Sequence, residues 1–302
     1  MKTDSSEIIR SMRKASGLSR EDMAEKLFTS TRTLARIETG EAGLDVWQFI
    51  TVMELLGSPT EDFWLLYLDS GDYANYREYK RLKRQLGNGD WSQARQVIAE
   101  IEKGTLMKQP LVKQFVEYVK VSLRMDEPPA KVLAAYADVM RISKPDFDES
   151  RIGEYRMTYN EIHIAAGMAE CYAAQGEFGR AVDMVQGMIN TRQKRQVSEE
   201  DKAVVLPFLH IILAGVLRRA DRCKEALAAC REAVDICREY NNLRRIPEML
   251  VLLADCYHKL GEEEHVYKTH LVRAYHAAYA MGRNDLAKAI KGKALELYHV
   301  DV

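Results

Sequence analysis

Residues 18–40 of this 302-residue chain read LSREDMAEKLFTSTRTLARIETG, and this stretch carries the clearest structural signal in the sequence. Ser19 can cap a helix, because a serine in that place accepts a hydrogen bond from a backbone N–H two or three residues further on. Glu21 and Asp22 put negative charge at the positive end of the helix dipole. The apolar face of this short helix consists of Met23, Ala24 and Leu27. We therefore expect a helix with one buried side.

A second helix is expected almost at once. Thr29 or Ser30 can cap it, and Leu34 and Ile37 supply its inward-facing stripe. Gly40 ends it, since glycine commonly follows the last turn of a helix. Two short helices that meet at a tight turn are typical of a helix-turn-helix, in which the second helix enters the DNA major groove.

The outward face of the second helix carries Arg32 and Arg36, one turn apart. Two like charges at this spacing cost roughly 0.2–0.5 kcal/mol in an isolated helix, a cost that a facing anion would offset. Taken alone, the Arg32 and Arg36 pair could equally be a solvated surface. The helix caps and the helix end at Gly40 favour DNA binding. The candidate DNA contacts are Arg20, Ser30, Thr31, Arg32, Thr33, Ala35 and Arg36.

The quoted stretch, together with residues 9–19 (IRSMRKASGLS) and 36–40 (RIETG), resembles the XRE family of Cro- and repressor-like helix-turn-helix proteins over about residues 5–69. In that family the residues matching Arg13 and Glu38 tend to pair, so the resemblance implies a structural role for Glu38. The family usually has glutamine at the position of Arg20, which we expect to reach a phosphate. It usually has glycine at the position of Phe28, which predicts a different turn or extra packing.

Two further helices complete the predicted five-helix unit. Residues 46–56 form an apolar helix, and Thr60 caps a fifth helix through Phe63, Trp64 and Leu66. Residues 1–69 contain 8 Lys and Arg against 12 Asp and Glu, a net charge of −4. Because nonspecific DNA affinity comes from neutralised phosphates, one copy would bind weakly. A homodimer on double-stranded operator DNA is therefore expected.

The composition favours an almost all-α protein of two domains, residues 1–69 and 70–302. The longest apolar run, residues 203–217, is interrupted by Pro207 and His210 and is too short for a membrane span. With no signal sequence expected, the chain should be cytoplasmic, without a membrane partner. Cys223, Cys230 and Cys237 recur every seven residues, which predicts small buried side chains along one helix face rather than a metal site.

Beyond residue 69 a turn pattern recurs at Gly89, Glu127, Gly176, Asp221 and Gly261, with intervals of 38, 49, 45 and 40 residues. These are helix-hairpin lengths. The pattern resembles tetratricopeptide repeats, best at residues 172–181 (YAAQGEFGRA). The expected fold is a right-handed α-superhelix of about five hairpins and a C-terminal helix, with the first helix of each pair lining the concave face.

Aligning the repeats on these turns predicts which side chains face that groove. The candidate peptide contacts are Tyr79, Lys83, Gln114, Glu117, Arg124, Asn160, His163, Glu170, Phe208, Ile211, Arg218, Asp255 and His258, with Tyr76 and Glu248 on the same side. Such surfaces hold extended peptides or partner helices. Hydrogen bonding between repeats, or plain solvation, is the alternative for any one of these residues.

An XRE-type unit followed by such repeats, with residues 159–164 (YNEIHI) opening a central repeat, resembles the RRNPP group of Gram-positive regulators, the Rgg- and PlcR-like proteins. The resemblance implies a homodimeric transcription factor whose repeats bind a short secreted and re-imported signalling peptide. It also implies that Asn160 holds the peptide backbone. The alternative is a phage-type or scaffold regulator whose repeats bind a protein.

Two pairs, Glu262 with His265 and Glu296 with His299, have the spacing used in helical di-iron sites and would indicate an enzyme. One pair begins at a predicted hairpin turn and the other lies near the chain end, so we expect no metal site. No phosphate loop or nucleophile elbow occurs either, and we expect no catalytic activity and no cofactor.

Overall fold

The computed structural model of the chain describes residues 6, 9–10, 13–14, 17–56, 81–82, 94–103, 105–124, 126–194 and 199–301. All regular structure within these residues is helical, which confirms the all-α prediction. The N-terminal unit contains α1 (Arg20–Lys26), α2 (Thr31–Glu38) and α3 (Val46–Leu56). The described residues before Gly17 are also helical.

Both predicted caps form. Ser19 accepts from the N–H of Asp22, whose carboxylate reaches back to the N–H of Ser19, a reciprocal capping box. Ser30 accepts from the N–H of Thr33 and so begins α2. Met23, Leu27 and Leu34 are fully buried between these helices, and the stop at Gly40 has a φ of 77°. The helix-turn-helix geometry therefore follows from signals that are local in the sequence.

Phe28 corrects one expectation. The residue has a φ of 52°, the left-handed conformation that glycine adopts without strain, and its side chain is 45% exposed. The turn is thus of the kind that a glycine would make, and nearly half of the phenylalanine surface is exposed.

The rest of the described chain is a succession of helices. They are α4 (Ala94–Lys103), α5 (Pro110–Ser122), α6 (Pro129–Arg141), α7 (Tyr159–Ala174), α8 (Phe178–Lys194), α9 (Glu199–Arg219), α10 (Cys223–Glu239), α11 (Ile246–Lys259), α12 (Glu264–Ala280) and α13 (Asn284–Tyr298). Short 3-10 helices span Thr105–Lys108 and Glu149–Glu154. Four complete hairpins, from α5/α6 to α11/α12, and the C-terminal helix α13 match the predicted array.

The predicted turns separate these helices. Gly176, Asp221 and Gly261 have φ values of 82°, 57° and 76°, and each lies between the two helices of one hairpin. The first helices α5, α7, α9 and α11 contact one another in succession, as expected for the inner side of a curved stack. Gly167 of α7 lies directly against Tyr136 of α6, where an added Cβ would be 2.6 Å from the ring.

The cysteines behave as predicted: all five are free and buried, and three of them lie along α10. Within the described part of the chain, none of the helices is long and apolar enough to cross a membrane. Other expectations fall outside the described residues. They concern the fifth helix from Thr60, the boundary near residue 69, the turn at Gly89, and Tyr76, Tyr79 and Lys83.

Candidate nucleic-acid interface and ligand groove

Helix α2 presents one polar, exposed face. Ser30, Thr31, Arg32 and Arg36 are exposed, Thr33 and Ala35 are partly exposed, and the opposite side is closed by Leu34 and Ile37. Arg32 makes no hydrogen bond or ion pair with any described residue, and Arg36 makes only a 3.7 Å ion pair with the exposed Glu41. Two guanidinium groups are therefore available to an anion on this face.

Glu38 at the end of α2 is a buried carboxylate held by two arginines. Arg13 donates to its Oε1 from Nε at 2.5 Å and to its Oε2 from Nη2 at 3.2 Å, which confirms the predicted pair. Arg20 donates to Oε2 at 2.8 Å. Burial raises the pKa of Glu38 and these hydrogen bonds lower it, and the net shift is downward. Arg20 is thus tied to Glu38 with a side chain 40% exposed; its phosphate contact stays a prediction.

The structure brings together two predicted groove residues, His163 and Phe208. They belong to a longer chain of contacts that we call the aromatic row: Tyr118, His163, Phe208 and Arg245. The ring of His163 lies 5.9 Å from that of Tyr118 and 4.4 Å from that of Phe208. The Arg245 guanidinium lies 5.3 Å from the centre of the Phe208 ring. Tyr118 and Arg245 were missed from the sequence. The signal for Tyr118 was its place one turn after Gln114 on α5.

Three other predicted groove residues are buried with partners inside the protein. Gln114 donates to Ser143 Oγ at 2.6 Å, and Asn160 donates to the carbonyl of Leu111 at 3.1 Å. Asp255 is covered by the C-terminal helix: it accepts from Lys293 and from Tyr298 and lies 3.4 Å from Arg218 Nε. These contacts match the alternative of hydrogen bonding between helices, and a role in binding a peptide stays a prediction.

The remaining candidates are partly or fully exposed. Glu117 accepts from Lys120 at 2.9 Å, Arg124 lies 3.9 Å from Glu127, and Glu170 accepts from Arg219. Ile211 packs on the small cluster around Met249. His258 is exposed and touches the rings of Tyr267 and Tyr298 edge-on.

A second buried carboxylate joins the helix-turn-helix to the repeats. Glu161, at the start of α7, closes a capping box with Thr158 and accepts from Ser143 Oγ at 2.6 Å. Lys26 of α1 places its Nζ 3.7 Å from Oε1 of Glu161, and Lys144 places its Nζ 3.7 Å from Oε2. We call these residues the Glu161 junction. Through Ser143 it continues to Gln114 on α5.

The junction buries two ammonium groups against one carboxylate. The pKa of Lys144 is lowered to about 8, and burial is the largest cause. The charge of Glu161 raises this pKa, and the charge of Lys26 lowers it further. An open cavity of about 340 Å³ lies beside it, lined from both sides by Leu18, Asp22, Glu25, Lys26, Lys144, Asp146, Glu154, Tyr155 and Arg156. A separate apolar contact joins Trp47 and Ile50 of α3 to the cluster around Val97 of α4.

The two Glu and His pairs do not assemble. His265 is 75% exposed and lies 3.1 Å from Glu263. Among the described residues no group of three or more His, Cys, Asp or Glu side chains could hold a metal ion.

A family model described as a helix-turn-helix domain matches residues 7–63. PlcR of Bacillus thuringiensis, crystallised with the peptide PapR7 and DNA, is similar in structure at a TM-score of 0.62 and 15% identity, over 95% of this chain and 98% of that one. ComR of S. thermophilus, in complex with DNA and its signalling peptide ComS, has a TM-score of 0.56 and 15% identity, over 95% of this chain and 97% of that one. PlcR of Bacillus thuringiensis in its apo form has a TM-score of 0.54 and 13% identity, over 91% of this chain and 99% of that one.

Among curated proteins none matches the chain by sequence. The likeness to PlcR and ComR extends over nearly the whole chain, so the fold is that of a helix-turn-helix followed by a helical superhelix. The architecture expected from the sequence is confirmed at this level.

Proposed function

We propose that the protein is a cytoplasmic, homodimeric transcriptional regulator that binds operator DNA through α2 and whose DNA binding is controlled by a short peptide in the concave groove of the repeats. The observation that carries the proposal is the Glu161 junction. It links α1, which packs on the recognition helix, to two of the helices that line the groove.

The DNA contacts follow from exposure and charge. Arg32 and Arg36 are candidates for base and phosphate contacts, since arginine pairs bidentately with guanine and with phosphate. Glu38 accepts from Arg13 and from Arg20 of α1, and these hydrogen bonds hold α2 and its exposed face in place. A dimer doubles the contacts and sets the spacing between half-sites.

The control follows from linkage. A peptide that binds one curvature of the superhelix better than another shifts the population of repeat states. Because α5 and α7 share the junction with Lys26, a shift of these helices changes the position of the helix-turn-helix, and DNA affinity changes with it. The coupling is reciprocal, so DNA must change peptide affinity by the same factor.

The solved relatives support the peptide as ligand. PlcR was crystallised with a peptide and DNA, and ComR with DNA and its signalling peptide. The groove here offers the aromatic row for apolar side chains, which suits a short extended chain.

The test uses the purified full-length protein. A duplex is selected from a random DNA library, peptides are selected from a random heptapeptide library, and DNA affinity is measured by fluorescence anisotropy with and without each bound peptide. At least one peptide should change DNA affinity about fivefold or more. The control idea fails if every peptide that binds the repeats leaves DNA affinity unchanged. A protein ligand would then be the alternative.

The double substitution Arg32→Ala and Arg36→Ala tests the DNA surface. Specific binding should disappear while the melting temperature stays the same, because both side chains are exposed and neither makes a buried contact. Retained binding to the selected duplex would show that the recognition face lies elsewhere. Arg10→Ala is the matched control, since Arg10 is also exposed but lies outside the α2 face.

A further inference from the structure

The aromatic row crosses the groove from one hairpin to the next. Tyr118, His163 and Phe208 come from α5, α7 and α9, the first helices of three successive hairpins, and Arg245 directly precedes α11. Each side chain contacts the next, with ring distances of 5.9 and 4.4 Å and a cation-to-ring distance of 5.3 Å. All four are partly exposed, and the row ends on a positive charge.

Arg245 is incompletely paired. Its nearest carboxylate is Glu248, at 3.6 Å. Both oxygens of Glu248 already accept hydrogen bonds from Arg283, at 2.7 and 3.0 Å. Within the described part of the chain the Arg245 guanidinium makes no hydrogen bond. Two guanidinium groups therefore share one carboxylate, and Arg283 makes both of the short contacts to it.

The surroundings of Arg245 favour a second anion. Its side chain is 32% exposed, and its guanidinium carbon lies 5.3 Å from the centre of the Phe208 ring. Burial is the largest cause that lowers the pKa of Arg245; the charge of Glu248 opposes it, and the charges of Arg244 and Arg283 add to the lowering. Two guanidinium groups, those of Arg245 and Arg283, thus face the single carboxylate of Glu248.

Two other cations along the groove are better paired. Lys120 is held by Glu117 and Glu102, and Arg219 donates to Glu170. Arg218 lies 3.4 Å from Asp255, which accepts from Lys293 and Tyr298, so its pairing is as incomplete as that of Arg245. Arg245 differs from Arg218 in lying against the Phe208 ring of the aromatic row.

Resting on the proposed function, we infer that Arg245 is a carboxylate-binding subsite of the peptide groove, with an apolar side chain next to that carboxylate lying on Phe208 and His163. The carboxylate is either the C-terminus of the peptide or the side chain of an Asp or Glu. Arginine binds carboxylates bidentately, which fixes the direction in which a peptide lies as well as its affinity.

The test uses three small probes on the full-length protein: N-acetylphenylalanine, its amide, and N-acetylglutamyl-phenylalanine amide. The first carries a terminal carboxylate, the second none and the third a side-chain carboxylate. Dissociation constants come from ligand-observed NMR titration. One or both of the carboxylate probes should bind about tenfold more tightly than the amide, as expected for a hydrogen bond to a charged group. The tighter of the two identifies the source.

Variants assign the effect to the residue. In Arg245→Gln the preference for carboxylate should vanish, whereas in Arg244→Gln, whose side chain is exposed and next in sequence, it should persist. Arg245→Lys should keep part of it, because the charge remains and the fork is lost. Melting curves show that each variant is folded. The inference is overturned if neither carboxylate probe outcompetes the amide, or if the preference survives in Arg245→Gln.

These outcomes are separable from those of the proposed function. If a selected heptapeptide changes DNA affinity but neither amidation nor Arg245→Gln weakens its binding, the subsite is wrong and the regulator stands. If the carboxylate probes bind at Arg245 and no peptide changes DNA affinity, the subsite stands and the proposed control is wrong.

Discussion

Two carboxylates in this protein, Glu38 and Glu161, are equally buried and each faces two cations, yet they are held differently. Glu38 receives hydrogen bonds of 2.5 to 3.2 Å from Arg13 and Arg20, all within the helix-turn-helix. Glu161 faces Lys26 and Lys144 with both Nζ atoms at 3.7 Å, and Lys26 comes from the other unit. A guanidinium pair fixes direction, whereas an ammonium acts as a point charge. Glu38 thus holds helices within one unit, whereas Glu161 connects two units.

The largest effect is expected from Glu38→Gln. The substitution leaves Arg13 buried without its counter-charge, and breaking such a pair costs about 3 kcal/mol of unfolding free energy. Urea denaturation followed by circular dichroism measures it. The exposed Glu41→Gln should change stability little. Equal stability of Glu38→Gln and wild type would mean that the pair does not hold the unit together.

Glu161→Gln should cost less, about 2 kcal/mol, because a buried lysine can release its proton where an arginine cannot. A second effect of Glu161→Gln should distinguish the Glu161 site from the Glu38 site. The helix-turn-helix should become more loosely attached, seen as faster hydrogen exchange in α1 and in residues 158–161 while α10 is unchanged. A loss of stability without faster exchange on both sides of the contact would contradict a junction.

Local signals predicted the helices around the first site and the family resemblance its Arg13–Glu38 pair, whereas the contact of Arg20 with Glu38 and the whole of the second site were not predicted. The caps at Ser19 and Ser30 and the stop at Gly40 lie within a few residues of the helices they define, and the resemblance supplied Arg13 and Glu38. Lys26 and Glu161 are 135 residues apart, and residues 158–161 alone indicate only a capping box. The repeat pattern likewise placed Gln114 and Asp255 on inner helix faces. Whether a neighbouring helix then covers them depends on packing.

Lys144 tests the charge imbalance at the junction. Its pKa in the folded protein, about 8, lies below its usual 10.5. Between these values the unfolded chain holds more protons, so raising the pH through this window stabilises the fold. Relative to Lys144→Met, wild type should gain about 1–2 kcal/mol between near pH 7 and about pH 9.5. Parallel stability curves for the two proteins would show that Lys144 titrates normally.

The smallest effect concerns the turn of the helix-turn-helix. Phe28→Gly removes the strain of a left-handed non-glycine residue and should raise unfolding free energy by about 1 kcal/mol. Gly40→Ala, at a φ of 77°, is the matched opposite change and should lower it. Thermal melts compare the two. If Phe28→Gly is destabilising, the exposed ring makes a contact that compensates for the strain.

The most direct test of control through the Glu161 junction compares wild type with Lys26→Met, which removes the ion pair between the helix-turn-helix and Glu161 and leaves Glu161 its other lysine. Each protein is titrated with the selected duplex, with and without the selected heptapeptide. The peptide should change the DNA affinity of wild type about fivefold or more and leave that of Lys26→Met unchanged, while both proteins bind the peptide equally. A full response in Lys26→Met would contradict control through the Glu161 junction.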